Sequence, residues 1–141
     1  MGTLERAIAI AAEAHAGQAD KAGAPYILHP IRVMRRMDTT QERIVAVLHD
    51  MLEDSPAWSA ERLRKKGVGP PVIAALEALT RRAGEPYMDC VRRTAAHPLA
   101  RSVKLADLED NLDSTRLSEV TAQDQSRMER YRRAQALLRS R

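Results

Sequence analysis

The chain has 141 residues, 44% hydrophobic and 30% charged, the balance of a soluble globular protein with one core. Aromatic residues make up 3% and Phe is absent, so the core must be built from Ala, Leu, Val, Ile and Met; this predicts an all-α domain over 1–141. The formal charge of +4 comes with a single cysteine, Cys90, which excludes an internal disulfide, and with no apolar run near the roughly 20 residues that span a bilayer.

In chain order, LERAIAIAAEAHAGQ carries apolar residues at helical spacing and stops at Gly17, a natural left-handed residue after a helix. An irregular connection, QADKAGAPYILHP, leads to a short basic amphipathic piece, Ile31 to Met37. Thr39 and Glu42 have capping-box spacing, so the next helix is expected to start near Thr40 and run through VLHDMLED to Pro56. A further helix follows from Trp58 to Lys66 and closes at Gly67. GPPVIAALEALT, PYMDCVRRTAAH and PLARSVKLADLEDNLD are each opened by a proline suited to a first turn. The last helix is expected from Asp124, as its N-cap, to about Arg139. No alternating pattern predicts a strand.

The helix after Thr40 interrupts an apolar surround with His49 and Glu53 as i,i+4 neighbours, and with Asp50 and Asp54 as a second such row. Buried carboxylates need compensation, and a divalent metal taking imidazole nitrogen and carboxylate oxygen supplies it. Further donors are His29 in YILHPIRV and Asp107 in VKLADLEDN, where Lys104, Asp107 and Asn111 share one face. Taken singly, His29 reads as a helix-start or core histidine and Asp107 as a helix-face charge; spacing alone does not assemble them.

The ordered blocks AHAGQADKAGAPYILHP, LHDMLED, VKLADLEDN and RMERYRRA resemble the HD-domain hydrolases of the RelA/SpoT type and their small stand-alone relatives. The resemblance implies a compact all-helical HD-type bundle holding one Mn²⁺ through His29, His49, Asp50 and Asp107. It also implies hydrolytic removal of the 3′-pyrophosphate of guanosine 3′,5′-bis(diphosphate). Glu53 and Asp54 match the acidic pair that positions water and transfers protons. Lys21, Asn111, Arg127 and Tyr131 match substrate-contact positions.

The match weakens in the pocket. Asp20 stands where the family has a purine-stacking arginine, and Leu108 and Asp113 stand where it has cations. Arg81, Arg82, Arg92, Arg93 and Arg116 are candidates to replace them at phosphate, each reading equally as a solvated surface arginine. His15 matches a family position of structural role, and His97 before Pro98 reads as a helix boundary.

The expected function is metal-dependent hydrolysis of a phosphorylated or pyrophosphorylated nucleotide, with an altered base pocket. The alternative is a catalytically inactive nucleotide-binding or protein-interaction module on the same scaffold; intact Glu53 and Asp54 speak against it. Six arginines against one glutamate from Arg127 to Arg141 raise the further reading of a nucleic-acid binder, but stacking aromatics beyond Tyr131 and a recognised motif are lacking. The N-terminus lacks a basic-then-apolar signal pattern, so a cytoplasmic location without a membrane partner is expected, and the oligomeric state is left open.

Overall fold

The computed structural model describes residues 3–113 and 119–140. Among these, nine helices carry the chain: α1 Leu4–Ala14, α2 Leu28–Arg35, α3 Thr40–Leu48, α4 Met51–Asp54, α5 Ala60–Lys65, α6 Pro70–Leu79, α7 Tyr87–Ala95, α8 Pro98–Asn111 and α9 Ala122–Arg139. The only pairing of extended backbone among the described residues is an isolated antiparallel bridge between Ala19 and Pro25. The all-α expectation therefore holds. No described helix is long and apolar enough to cross a membrane.

Local sequence sets most of the boundaries. Thr3 caps α1 by accepting from Arg6 N–H at 3.1 Å. Gly17, with φ of +82°, turns the chain after α1. Thr39 and Glu42 form the expected reciprocal capping box on α3. His97 accepts from Ala100 N–H at the start of α8, which makes it the boundary residue its sequence context indicates. At α9 the expectation is corrected: Thr121 is the N-cap, and Asp124 is its N3 partner, returning a bond to the Thr121 N–H. The Ser/Thr-x-x-Asp spacing places both groups within mutual reach.

The helix expected to run unbroken from Thr40 to Pro56 divides at His49 and Asp50. The cause is local: His49 Nδ1 donates to the Ala46 carbonyl at 2.6 Å, while the His49 backbone N–H bonds the same oxygen at 3.4 Å. That carbonyl is the one an unbroken helix would offer to the Asp50 N–H. Side-chain competition thus opens the helix where the histidine and aspartate stand.

Two apolar clusters hold the helices. The larger joins α1, α2, α3, α4, α5, α6 and α8 through Ile10, Val33, Leu48, Met51, Leu63, Leu76 and Val103. Ile44 to Leu48 are buried in succession, so the C-terminal half of α3 is enclosed on all sides, while its first turn, with Thr40 and Gln41, is exposed. The smaller cluster joins α7, α8 and α9 through Val91, Ala95, Leu108, Ala134 and Leu138. Each fully buried leucine contributes about 1.5–3 kcal/mol relative to exposure. α8 belongs to both clusters, and its remaining face carries Lys104, Asp107 and Asn111 to the cavity.

Candidate metal centre

Three segments far apart in sequence meet at one point. His29 comes from the first turn of α2, His49 and Asp50 from the break between α3 and α4, and Asp107 from α8. One ligand atom from each lies within 4.8 Å of the others. His29 Nε2 is 2.8 Å from Asp107 Oδ1 and 3.4 Å from Asp50 Oδ2. His49 Nε2 is 3.0 Å from Asp50 Oδ1 and 3.1 Å from Asp107 Oδ1. His29, His49 and Asp107 are buried; Asp50 is partly open to the cavity.

Each imidazole is oriented by its other nitrogen. His49 Nδ1 is engaged by the Ala46 carbonyl, and His29 Nδ1 lies 2.6 Å from Asp110 Oδ2. Both Nε2 atoms therefore point into the cluster. A carboxylate or carbonyl behind a histidine in this way fixes its tautomer and raises its basicity as a ligand. Asp110 has no exposed side-chain surface and is itself bonded by Arg32 Nε at 2.8 Å. Tyr26 donates to Asp50 Oδ2 at 2.5 Å, while Lys104 and Asn111 donate to the two oxygens of Asp107 at 2.8 and 3.1 Å. Two nitrogens and two carboxylates, convergent and backed by a supporting shell, are a donor set that fits a divalent metal ion.

Electrostatics reflect this crowding. Burial alone would depress His29, but Asp107, Asp110 and Asp50 outweigh it and raise the imidazole to about 12. His49 is likewise raised, against burial, to about 10 by Asp50 and Asp107. Burial would raise the Asp107 carboxyl, yet Lys104 and the two histidines hold it well below the usual carboxylate range. In the metal-free fold, protons on the imidazoles carry the positive charge that a cation would supply.

Glu53 and Asp54 project from α4 into the wall of the same cavity, whose volume is about 510 Å³. Glu53 Oε1 accepts from the backbone N–H of Arg81 at 2.6 Å, which fixes it against the loop after α6. The Asp54 carboxyl is raised by burial and then by the charges of Asp50 and Glu53. Lys21, Asn111, Arg127 and Tyr131 all line this cavity too, so the residues implied by resemblance share one space, with His49 buried behind them. His15 is buried against Tyr26, ring centroids 5.0 Å apart, and bonds Gln18 through Nδ1.

Other expectations are revised. Leu108 has no exposed surface and packs in the smaller core cluster, so it does not alter the cavity wall. Arg92 pairs with Asp89 at the surface, and Arg93 clamps Glu85 and the last carbonyls of α6; neither lines the cavity. Arg81 does line it, Arg82 borders a neighbouring hollow, and Arg116 lies outside the described residues. Sequence reasoning passed over Asp110, Arg32 and Tyr26. Asp110 lies at i+3 from Asp107 on α8, a spacing that could have paired them as donor and support.

No family model matches the chain. It is 32% identical over 121 residues, covering 77% of the chain and 17% of the relative, to a guanosine-3′,5′-bis(diphosphate) 3′-pyrophosphohydrolase of Aquifex aeolicus. It is 41% identical over 58 residues, covering 38% of the chain and 8% of the relative, to the bifunctional (p)ppGpp synthase/hydrolase SpoT of Escherichia coli. The chain thus spans less than a fifth of the length of these curated relatives. A solved structure of a metazoan ortholog of SpoT, described as hydrolysing ppGpp, superimposes with a TM-score of 0.76 at 22% identity, over 98% of this chain and 85% of that one. The fold and the order of histidines and aspartates define an HD-type helical domain. Within that class, the stretches that align are similar in sequence to RelA/SpoT-type guanosine-3′,5′-bis(diphosphate) 3′-pyrophosphohydrolases.

Proposed function

We propose that this domain is a metal-dependent phosphohydrolase of a pyrophosphorylated nucleotide, related in action to guanosine 3′,5′-bis(diphosphate) 3′-pyrophosphohydrolases. One observation carries the reading: the His29, His49, Asp50 and Asp107 donors converge at the wall of a cavity that also receives Glu53 and Asp54. These four donors would hold one divalent ion, and Mn²⁺ is the ion the resemblance favours. Such an ion supplies Lewis-acid polarisation of a phosphoryl oxygen and makes water more acidic.

The chain's own residues have separable tasks in this reading. Asp54, whose carboxyl is raised, accepts a proton from the attacking water and returns one to the leaving oxygen. Glu53, tied to the Arg81 N–H, orients that water. Water adds at the phosphorus bonded to the ribose 3′ oxygen, that P–O bond breaks, and inorganic pyrophosphate leaves a 3′-hydroxyl. Tyr26 holds the Asp50 carboxylate, and Lys104 and Asn111 hold Asp107, so the donors do not reorganise during the reaction. Lys21, Arg127 and Tyr131 contact the rest of the nucleotide.

A paired experiment tests this proposal: metal analysis of protein purified without chelator, and a turnover screen of phosphorylated nucleotides with Mn²⁺. Near-stoichiometric divalent metal and release of phosphate or pyrophosphate are expected. Metal retained in both His49→Ala and Asp50→Ala proteins would sink the ligand set. Metal without any turnover would leave the inactive binding module as the better reading.

A further inference from the structure

One face of α9 walls the cavity with Asp124, Arg127, Met128, Arg130 and Tyr131. Several cations that border the cavity are already committed: Arg127 to Asp124, Lys104 to Asp107 and Arg32 to Asp110. Lys21, Arg81 and Arg130 pair with no carboxylate among the described residues. Asp20, next to Lys21, is turned onto its own loop, where its Oδ1 accepts the N–H groups of Ala22 and Ala24, both at 2.9 Å.

Of these three cations, Arg130 is the one held in position by aromatic rings. Its guanidinium carbon stands 4.8 Å from the centroid of the Tyr87 ring and 5.8 Å from that of Tyr131. Attraction to the negative face of a ring places a guanidinium without using its N–H donors, whereas an ion pair uses them and cancels the charge. Arg130 therefore presents an uncompensated charge and an open fork of donors on an exposed side chain. The fold fixes the ring beneath it. Tyr87 opens α7 and packs against the cluster shared by α7, α8 and α9; its hydroxyl is buried with no hydrogen-bond partner among the described residues, so it contributes its ring and no polar contact. Lys104 Nζ lies 5.9 Å from the centroid of the same ring and donates to Asp107 Oδ2 at 2.8 Å. Tyr87 thus connects Arg130 to the edge of the metal cluster.

We propose that Arg130, seated on Tyr87 and Tyr131, is a phosphate-binding residue of this cavity, donating to the oxygens of a substrate phosphate through the edge of its guanidinium. A planar fork of donors matches the paired oxygens of a phosphoryl group. Arg127, bound to Asp124, brings less net charge to the same wall. The inference rests on the hydrolase reading for the class of ligand, and binding measured apart from turnover separates the two.

The probe is guanosine 3′,5′-bis(diphosphate). Affinity is measured by calorimetry on the chelator-treated full chain, and kcat/KM on the Mn²⁺-loaded chain. Arg130→Gln is expected to weaken binding about tenfold or more, the size of a lost charged hydrogen bond, and to lower kcat/KM mainly through KM. Mn²⁺ affinity and the urea midpoint should stay at their wild-type values, because the side chain is exposed and bonds no metal donor. Arg130→Lys keeps the charge without the fork and should fall between Arg130→Gln and wild type. Tyr87→Phe keeps the ring and should bind as wild type does, while Tyr87→Leu should bind about threefold more weakly. Wild-type affinity in Arg130→Gln, no recovery in Arg130→Lys, a loss matched by lower Mn²⁺ affinity or stability, or no binding by wild type would overturn the proposal. Binding that depends on Arg130 without turnover under Mn²⁺ would instead defeat the hydrolase reading and leave the phosphate site standing. Turnover indifferent to Arg130→Gln would do the reverse.

Discussion

Asp110 provides the sharpest test of the site, because it touches no cavity and yet sits behind a proposed ligand. Its carboxylate, without exposed side-chain surface, joins His29 Nδ1 at 2.6 Å to Arg32 Nε at 2.8 Å. Asp110→Ala leaves His29 free to rotate and to change tautomer, and it strands a guanidinium that is only 28% exposed. Loss of a supporting group behind a metal-bound histidine commonly costs about 10–100-fold in metal affinity, or roughly 1.4–2.7 kcal/mol. Breaking a buried pair costs about 3–5 kcal/mol of stability, but partial exposure of Arg32 brings the expectation here to about 2–3 kcal/mol. Asp110→Asn keeps an acceptor for the imidazole and should lose less metal affinity, about tenfold or below. Mn²⁺ titration by calorimetry, alongside urea denaturation of the metal-free proteins, separates the two effects. Unchanged metal affinity in a folded Asp110→Ala protein would refute the supporting role.

Glu53→Gln should keep metal and fold while lowering kcat by about 10²–10⁴-fold, as expected when a carboxylate that orients water beside a proton acceptor is lost; an emptied site would make Glu53 a ligand instead. Metal uptake should release protons, since His29 and His49 are raised to about 12 and about 10 in the metal-free fold. Because both imidazoles are raised, their contribution to metal-free stability is present in full below about pH 6.5 and fades as pH rises through about 10 and 12, whereas metal affinity rises with pH. Calorimetry in buffers of different ionisation enthalpy counts the released protons, and an absence of release would contradict the cluster's charge state. Leu108→Ala should destabilise the chain by about 2–5 kcal/mol with little change in KM, because this side chain fills the core and not the cavity; a large KM change at unchanged stability would reverse that placement.

Local signals decided much of the fold. Thr39 with Glu42, Gly17 and the prolines at the starts of α6, α7 and α8 mark ends because caps, positive φ and a missing N–H act within a few residues. The scarcity of aromatics and the helical spacing of apolar residues made an all-α domain legible for the same reason. The ligand set could be named only through ordered resemblance, since 78 residues separate His29 from Asp107 and no spacing rule spans such a gap.

Tertiary packing decided what the side chains do. It sent Leu108 into the core, turned Asp20 onto its own loop, spent Arg93 on the end of α6 and placed Asp110 behind His29. A helix residue's face is known from sequence, but what lies opposite that face is not. Here the meeting of α2, α3 and α8 around two aspartates, and of α9 with the loop carrying Lys21, fixes which charges neutralise one another. Those pairings depend on distances of a few ångströms between segments brought together by burial of apolar surface, so only the folded chain sets them.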